Sequence, residues 1–115
     1  MSLTPAPLDA VIFADREGII RSWNARAEAV LGYTAAEAIG QSLDLIIPEH
    51  LRAADWRGYH AAIAAGRTRH AGKPMLTRAT HKDGSKVYLE VAFAIVTGAQ
   101  GTSGAIATAR PAPKR

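Results

Sequence analysis

The stretch LDAVIFADREGIIRSWNARAEAVLGY, residues 8–33, decides the fold of this chain. Its first half holds two short apolar runs whose β-branched and aromatic side chains favour strands. A polar turn ending in Gly18 separates the runs, and glycine permits the tight reversal of a hairpin. The residues that follow have the apolar spacing of an amphipathic helix. Asn24 is a suitable N-cap for this helix, and Gly32 suits its C-terminal end. We therefore predict a β-hairpin followed directly by a helix.

Two further helices are predicted after this hairpin and helix. The residues TAAE at 34–37 have the S/T-x-x-E form of a capping box, so a short helix should run to about residue 39. Pro48 and Glu49 suit the first turn of a helix, since proline lacks an N–H and a carboxylate favours the positive end of the helix dipole. The pattern after them predicts a longer helix over 49–65.

The C-terminal half alternates apolar and polar side chains as strands do. Its clearest strand has five apolar positions at period two, from Val87 to Ile95, and Asp83 with Gly84 favours a hairpin turn before it. The order of elements predicts an α+β fold, a five-stranded antiparallel sheet with short helices packed on one face. Strands are predicted at residues 9–14, 18–22, 74–82, 86–97 and 103–110.

Composition limits the classes of protein to which the chain can belong. At 115 residues it suits one domain, and 48% apolar with 21% charged residues is typical of a soluble globular protein. No apolar run approaches the roughly 20 residues of a membrane helix, so we expect no membrane contact. The net charge of +4 is spread along the chain without a nucleic-acid-binding motif, so we expect no direct nucleic-acid partner. The absence of cysteine fits the cytoplasm.

Two short phrases carry a resemblance to a known family. The residues LGYTAAEAIG at 31–40 and KDGS at 82–85, together with the hairpin before them, resemble the PAS family. The resemblance covers residues 8–110 and leaves 1–7 as an N-terminal tail and 111–115 as a C-terminal linker or tail. It implies a sensory or interaction domain of a signalling protein such as a histidine kinase, a cyclase or a transcription regulator. Its expected partners are a small-molecule ligand, a second copy in a homodimer, or an effector domain of the same protein.

In this family a ligand cavity lies between the sheet and the helices, and the resemblance implies which side chains line it here. The alternative is that the same side chains fill a solid core, in which case Phe93→Ala should cost about 3–5 kcal/mol. The predicted lining residues are Phe13, Ile20, Leu31, Leu45, Ile46, Leu51, Asp55, Tyr59, Ile63, Met75, Leu89, Val91 and Phe93.

The cofactor is not identified by the sequence, and we expect neither haem nor flavin. Haem-binding PAS domains resemble this chain through IPEHLR at 47–52 and place an axial histidine on the helix that follows. Asp55 stands at that position, and a carboxylate is a poor ligand for haem iron. A shifted register would bring His50 or His60 to the iron, so a haem-binding gas or redox sensor is the alternative function. Without cysteine, a cysteinyl-flavin photosensor is excluded.

Asp55 has two interpretations. It is either a helix residue that is solvated or paired with Arg52 or Arg57, or a polar anchor for a ligand's hydroxyl or amine inside an apolar cavity. A small enzyme using Asp55 and His60 as an acid–base pair is the alternative from another class. We do not expect it, because the sequence has no nucleophile elbow, phosphate-binding loop or metal-ligand spacing, and residues five apart do not share a helix face.

The C-terminus departs from the family pattern. PAS domains with a downstream effector usually end their last strand with an Asp-x-Thr phrase, whereas this chain has ARPAPKR at 109–115. Because proline has no N–H, Pro111 and Pro113 should end the strand ladder. The resemblance then implies output through a flexible linker, the N-terminal side or a dimer face.

Overall fold

The computed structural model describes residues 9–67 and 74–112, which form a five-stranded antiparallel sheet with helices on one face. The elements in chain order are β1 (Ala10–Asp15), β2 (Ile20–Trp23), α1 (Ala25–Leu31), α2 (Ala35–Ala38), two 3-10 turns (Leu43–Leu45 and Glu49–Leu51), α3 (Arg52–Ala65), β3 (Met75–Thr80), β4 (Lys86–Gly98) and β5 (Gly101–Pro111). The strand order in the sheet is β2-β1-β5-β4-β3. The predicted α+β fold is confirmed. In the described part of the chain, no helix is long and apolar enough to cross a membrane.

One carboxylate, that of Asp15, organises the β1–β2 hairpin. It accepts hydrogen bonds from the backbone N–H groups of Glu17 (2.9 Å) and Ile19 (3.0 Å) and from Nε of Arg21 (2.8 Å). Desolvation raises the pKa of Asp15, but the hydrogen bonds and the arginine charge outweigh it, so the pKa lies below its ordinary value. Gly18 adopts the positive φ of +80° that this turn requires.

Asn24 joins the first strand to the first helix. Its side-chain oxygen accepts from the backbone N–H groups of Ala27 and Val11, both at 2.9 Å, and its Nδ2 donates to the carbonyl of Asp9 at 3.1 Å. The bond to Ala27 is the predicted N-cap, and Gly32 ends α1 with the predicted positive φ of +85°. The two bonds to β1 add a tertiary connection that a cap alone does not provide.

The second and third helices differ in how closely they follow the prediction. Thr34 and Glu37 form the predicted capping box at α2, each side chain accepting from the other residue's backbone N–H. The helix predicted over 49–65 begins instead with a 3-10 turn, and α-helical geometry starts at Arg52. Gly66 then ends α3 in the left-handed conformation.

Short side chains occupy the centre of the helix-facing side of the sheet. Buried alanines face each other across β1 and β5, with Ala10 opposite Ala109 and Ala14 opposite Ala105. The only large side chains with less than 2% exposure among the described residues are Ile20 and Leu31. Alanine rises little above a sheet, so the volume above β5 is filled only where a helix brings larger side chains to it.

Strand β5 runs through Pro111, so the prediction that this proline ends the ladder is wrong. The backbone N–H of Ala112 still donates to the carbonyl of Tyr88 at 2.8 Å, beyond the proline. Backbone N–H groups alternate in direction along a strand, so an N–H at position 111 would point toward β1. The pairing of β1 with β5 already ends at Ala10, opposite Ala109, so β1 has no residue there to accept it. The missing N–H therefore breaks no ladder bond. Pro113 and the predicted tail at 1–7 lie outside the described residues.

Candidate functional site

The candidate site is the helix-facing side of β3 and β4. The sheet register places Phe93 opposite Ala107, Val91 opposite Ala109, and Met75 opposite Val91. Directly opposed residues point to the same side of a sheet, so these side chains share the face that carries the buried alanines. We call the apolar surface formed by Met75, Leu89, Val91 and Phe93 the helix-side patch.

Two members of the helix-side patch are exposed, although the sequence predicted that Phe93 is buried and that Met75 lines a cavity or fills a core. Phe93 keeps 38% and Met75 41% of its surface accessible, whereas Leu89 and Val91 are buried. Both side chains lie on the predicted, helix-facing side of the sheet, but a side chain is buried only where another element covers it. Tyr59 of α3 bonds the last residue of β1, and Gly66, which ends the helix, lies near Thr102 of β5. The neighbour of Phe93 across the ladder is the short Ala107. The patch is therefore apolar and partly open.

Tyr59 anchors the middle of α3 to the end of β1. Its hydroxyl donates to the backbone carbonyl of Asp15 at 2.5 Å, with the carbonyl of Ala14 at 3.3 Å. Desolvation, followed by the negative charges of Asp15 and Glu17, raises the pKa of Tyr59 to about 12. The hydroxyl consequently keeps its proton, and its role as donor, throughout the neutral range.

Trp56 anchors the N-terminal half of α3. Its Nε1 donates to a carboxylate oxygen of Asp44 at 2.7 Å, and its ring fills the space where a side chain at Gly18 would stand. Sequence reasoning did not select Trp56, although its spacing from Arg52 and Tyr59 places all three on one helical stripe. That stripe was the signal available in the sequence. Each of these two aromatic side chains of α3 therefore donates a hydrogen bond to the rest of the domain.

Asp55 and His60 lie on opposite flanks of α3. The inward stripe of the helix contains Trp56, Tyr59 and Ile63, and at 100° per residue Asp55 falls to one side of it and His60 to the other. The His60 ring stacks on Trp56 with centroids 5.5 Å apart. The two side chains are not brought together as an acid–base pair.

The carboxylate of Asp55 has no ion-pair partner within residues 9–67 and 74–112. The expected pairing with Arg52 does not form, because that guanidinium donates to the carbonyls of Ile47 (3.1 Å) and Asp44 (3.2 Å). Asp55 retains solvent access, yet neighbouring protein atoms desolvate it enough to raise the pKa of its carboxyl. The carboxylate is therefore partly desolvated without a described counter-charge.

The predicted lining residues divide into five groups. Phe13 is misplaced by the prediction: it pairs with Ile106 on the outer face, because Ile12 takes the inward position of β1. Ile20 and Leu31 belong to the packed core beside α1, a core that also contains Leu89 and Val91 of the helix-side patch. The remaining residues are buried (Leu89, Val91), half-buried (Leu45, Ile46, Leu51, Tyr59, Ile63) or exposed (Asp55, Met75, Phe93).

The outer face of the sheet offers a second surface, which the sequence did not indicate. Val11, Phe13 and Ile106 lie half-buried on it, pointing away from the helices. Arg110 pairs there with Asp9 at 3.1 Å. A shallow groove of about 190 Å³ is lined by Asp9, Pro74, Glu90, Ala92, Thr108 and Arg110. Across the ranges that the structure covers, no three potential ligand side chains come together as a metal site.

Comparison with known proteins agrees with this architecture. A family model described as the PAS fold matches residues 8–112. The chain belongs to the PAS family. Its structure is similar to the crystal structure of the PAS domain of a protein from Colwellia psychrerythraea, with a TM-score of 0.81 at 25% identity over 95% of this chain and 90% of that one.

Two other proteins are similar to this PAS domain. The PAS domain of the RpfR quorum-sensing receptor from Cronobacter turicensis, in complex with C12:0, has a TM-score of 0.72 at 16% identity, covering 96% of this chain and all of that one (100%). An uncharacterized protein of Azorhizobium caulinodans is 34% identical over 79 residues, which is 68% of this chain and 11% of that protein. The chain thus spans about a tenth of the relative's length.

Proposed function

We propose that this PAS domain is the sensory part of a signalling protein and binds a small apolar ligand between α3 and the helix-side patch. The observation that carries the proposal is the exposure of Phe93 and Met75 directly beside the buried Leu89 and Val91. Large exposed apolar side chains that continue a buried apolar surface are typical of binding sites. The fold's compatibility with an apolar ligand is supported by the Cronobacter domain in complex with C12:0.

The proposed signal passes from α3 into the two central strands. Tyr59 connects α3 to the last residue of β1, and β1 pairs along its length with β5. The first residue of β1, Ala10, lies opposite Ala109 near the end of β5, so both ends of the domain meet at one place in the sheet. A ligand that displaces α3 would shift this pair of strands, and with them the segments that continue to an effector. A histidine kinase, a cyclase or a transcription regulator would each suit this output.

Binding of octan-1-ol tests the proposal, since it has an apolar chain and no charge. We expect saturable binding to the purified domain, followed by Trp fluorescence, with at least about a 10-fold loss of affinity in Phe93→Asp. Leu76→Asp is the matched control, because Leu76 is also exposed on β3 but lies on the outer face. Absence of saturable binding, or equal losses in the two variants, would contradict the proposal.

We also expect that the domain does not use haem, because Asp55 stands where the resemblance puts the axial histidine. Its oxygen donor lacks the affinity of a neutral imidazole for haem iron. Titration of haemin into the wild type and Asp55→His, followed by absorbance, checks this. Tight stoichiometric binding by the wild type would establish the haem-sensor alternative instead.

A homodimer through the outer face is the second part of the proposal. The strip formed by Val11, Phe13 and Ile106 is apolar and only half-buried, and the helices cover the other face. Ala94 is exposed on this face, opposite Ile106. We expect sedimentation equilibrium to show a dimer that Ala94→Glu dissociates and that Ala61→Glu, on the exposed side of α3, leaves intact. A wild type that stays monomeric at high concentration would contradict the proposed homodimer.

A further inference from the structure

The segment between α2 and α3 crosses from one edge strand of the sheet, β2, to the other, β3. We call its residues 40–51 the strap. At the β2 edge, the backbone N–H of Gly40 donates to the carbonyl of Ile20, and the N–H of Ile20 donates to the carbonyl of Gln41, both at 2.8 Å. The strap is therefore fixed to this edge by paired backbone bonds.

At the β3 edge, two hydrogen bonds hold the strap in the part of the chain that the structure describes. The backbone N–H of Thr80 donates to the carbonyl of Ile46 at 2.8 Å. Nη2 of Arg78 lies 3.3 Å from Nε2 of His50, and this second bond joins solvent-accessible side chains. The β3 end is therefore the weaker attachment, since a bond between exposed groups competes with water.

Between its two ends, the strap covers the buried half of the helix-side patch. Its half-buried Leu45 and Ile46 pack against the core cluster that contains Leu89 and Val91. The strap also holds the start of α3, because the guanidinium of Arg52 donates to two strap carbonyls at 3.1 and 3.2 Å. Release of the β3 end would uncover Leu89 and Val91, while the bonds at β2 act as the hinge.

The imidazole of His50 is neutral when it bonds Arg78. A guanidinium has only donors, so Nε2 of His50 supplies the acceptor lone pair. Protonation removes this lone pair and leaves two cations 3.3 Å apart. The other charged groups beside His50 are Glu49, its neighbour in the strap, and Arg52. Among the described residues neither of them bonds the ring, and Arg52 is held by the strap carbonyls.

We propose that the strap is a lid over the buried half of the helix-side patch, and that protonation of His50 releases its β3 end. This inference rests on the function proposed above and specifies how entry of the ligand is regulated. Near neutral pH the bond between His50 and Arg78 supports the bond from Thr80 to Ile46, and the lid is closed. In acid the first bond is lost, the second opens more often, and an apolar ligand enters faster.

Amide hydrogen exchange of the ligand-free protein, followed by NMR, tests the release directly. The protection factor of the Thr80 N–H should fall at least about 3-fold between about pH 7.5 and about pH 5.5, a range that spans the titration of histidine side chains. The Ile20 N–H, bonded to the other end of the strap, should keep its protection factor. Circular dichroism melting at both pH values checks that the fold is unchanged.

Two variants identify the group that titrates. In His50→Gln the amide oxygen still accepts from Arg78 but does not titrate, so the fall at Thr80 should disappear. His81→Gln is the matched control, because it removes the histidine next to Thr80 and should leave the fall intact. Equal protection of Thr80 at both pH values, or a fall that persists in His50→Gln, would overturn the proposal. A loss at Ile20 as large as that at Thr80 would also overturn it, since the strap would then loosen at both ends.

Association of octan-1-ol, measured by stopped-flow Trp fluorescence, tests whether the lid controls entry. We expect association with the wild type to be about 3-fold faster at about pH 5.5 than at about pH 7.5, and the two rates to be equal in His50→Gln. A strap that opens without a change in this rate would overturn the role of the lid in ligand entry. If octan-1-ol binds at neither pH, the proposed site is wrong, whereas exchange at Thr80 still decides whether His50 releases the strap.

Discussion

The two halves of the helix-bearing face are held in different ways. Over β1 and β2, the helix α1 is capped by Asn24, which also bonds β1, and it brings Leu31 into a core with Ile20. Over the other part of the sheet, α3 contributes no buried side chain and is anchored by the polar groups of Tyr59 and Trp56. Displacing α1 would expose fully buried apolar side chains, whereas the side chains of α3 are at most half-buried. The α3 region is thus the part suited to respond to a ligand.

The largest effect should come from the packed half. Leu31 is 1% exposed, so Leu31→Ala should lower the free energy of unfolding by about 2–5 kcal/mol through lost burial and a residual cavity. Urea denaturation measures the loss, and Leu76→Ala, at 55% exposure, should change it by less than about 0.5 kcal/mol. A loss below about 1 kcal/mol for Leu31→Ala would mean that the two halves are packed alike.

Removal of the cap that joins α1 to β1 should have the next largest effect. Asn24→Ala deletes the acceptor for Ala27 and leaves the N–H of Val11 without its partner, for a loss of about 1–3 kcal/mol. Thr34→Ala removes only the local cap of α2 and should cost about 1 kcal/mol or less. Urea denaturation of both variants compares them. Equal losses would show that the bonds from Asn24 to β1 add no stability.

In the open half, Phe93→Ala should destabilise much less than the 3–5 kcal/mol expected of a solid core. With 38% of its surface accessible, Phe93 loses less burial, and we expect about 1–2 kcal/mol in the ligand-free protein. The same urea measurement gives the value. A loss above about 3 kcal/mol would show that Phe93 is packed in solution, and that the α3 region is as closed as the α1 region.

The smallest effect concerns the anchor of α3. The pKa of Tyr59 is raised from 10.0 to about 12, so the stability that its neutral hydroxyl contributes is complete below pH 10 and is lost as the pH rises through 12. The absorbance of tyrosinate at alkaline pH should show one tyrosine titrating near pH 12, and Tyr59→Phe should remove that step. If the step near pH 12 persists in Tyr59→Phe, the anchor is not formed as described.

Much of the fold was predictable from short stretches of sequence. The turn at Gly18, the cap at Asn24 and the capping box at Thr34 and Glu37 each depend on residues only a few positions apart, and all three form. The effect of Pro111 was not predictable from nearby residues, because it depends on which neighbouring strand its nitrogen faces and on where that strand ends. Of the candidate site, period-two alternation placed Leu89, Val91 and Phe93 on the correct face, but it could not specify the cover over them.

By itself, the sequence determined the order of the elements, the caps of the first two helices and the α+β class, because hydrogen bonds within turns and caps act over a few residues. Only the tertiary structure decided that Phe13 faces outward while Ile12 faces the core, since that choice is made by the register of β1 against β2 and β5. It also decided that Phe93 stays accessible and that Asp55 has no described counter-charge. Burial and ion pairing are properties of elements that meet from distant parts of the chain, and no local pattern specifies how closely they approach.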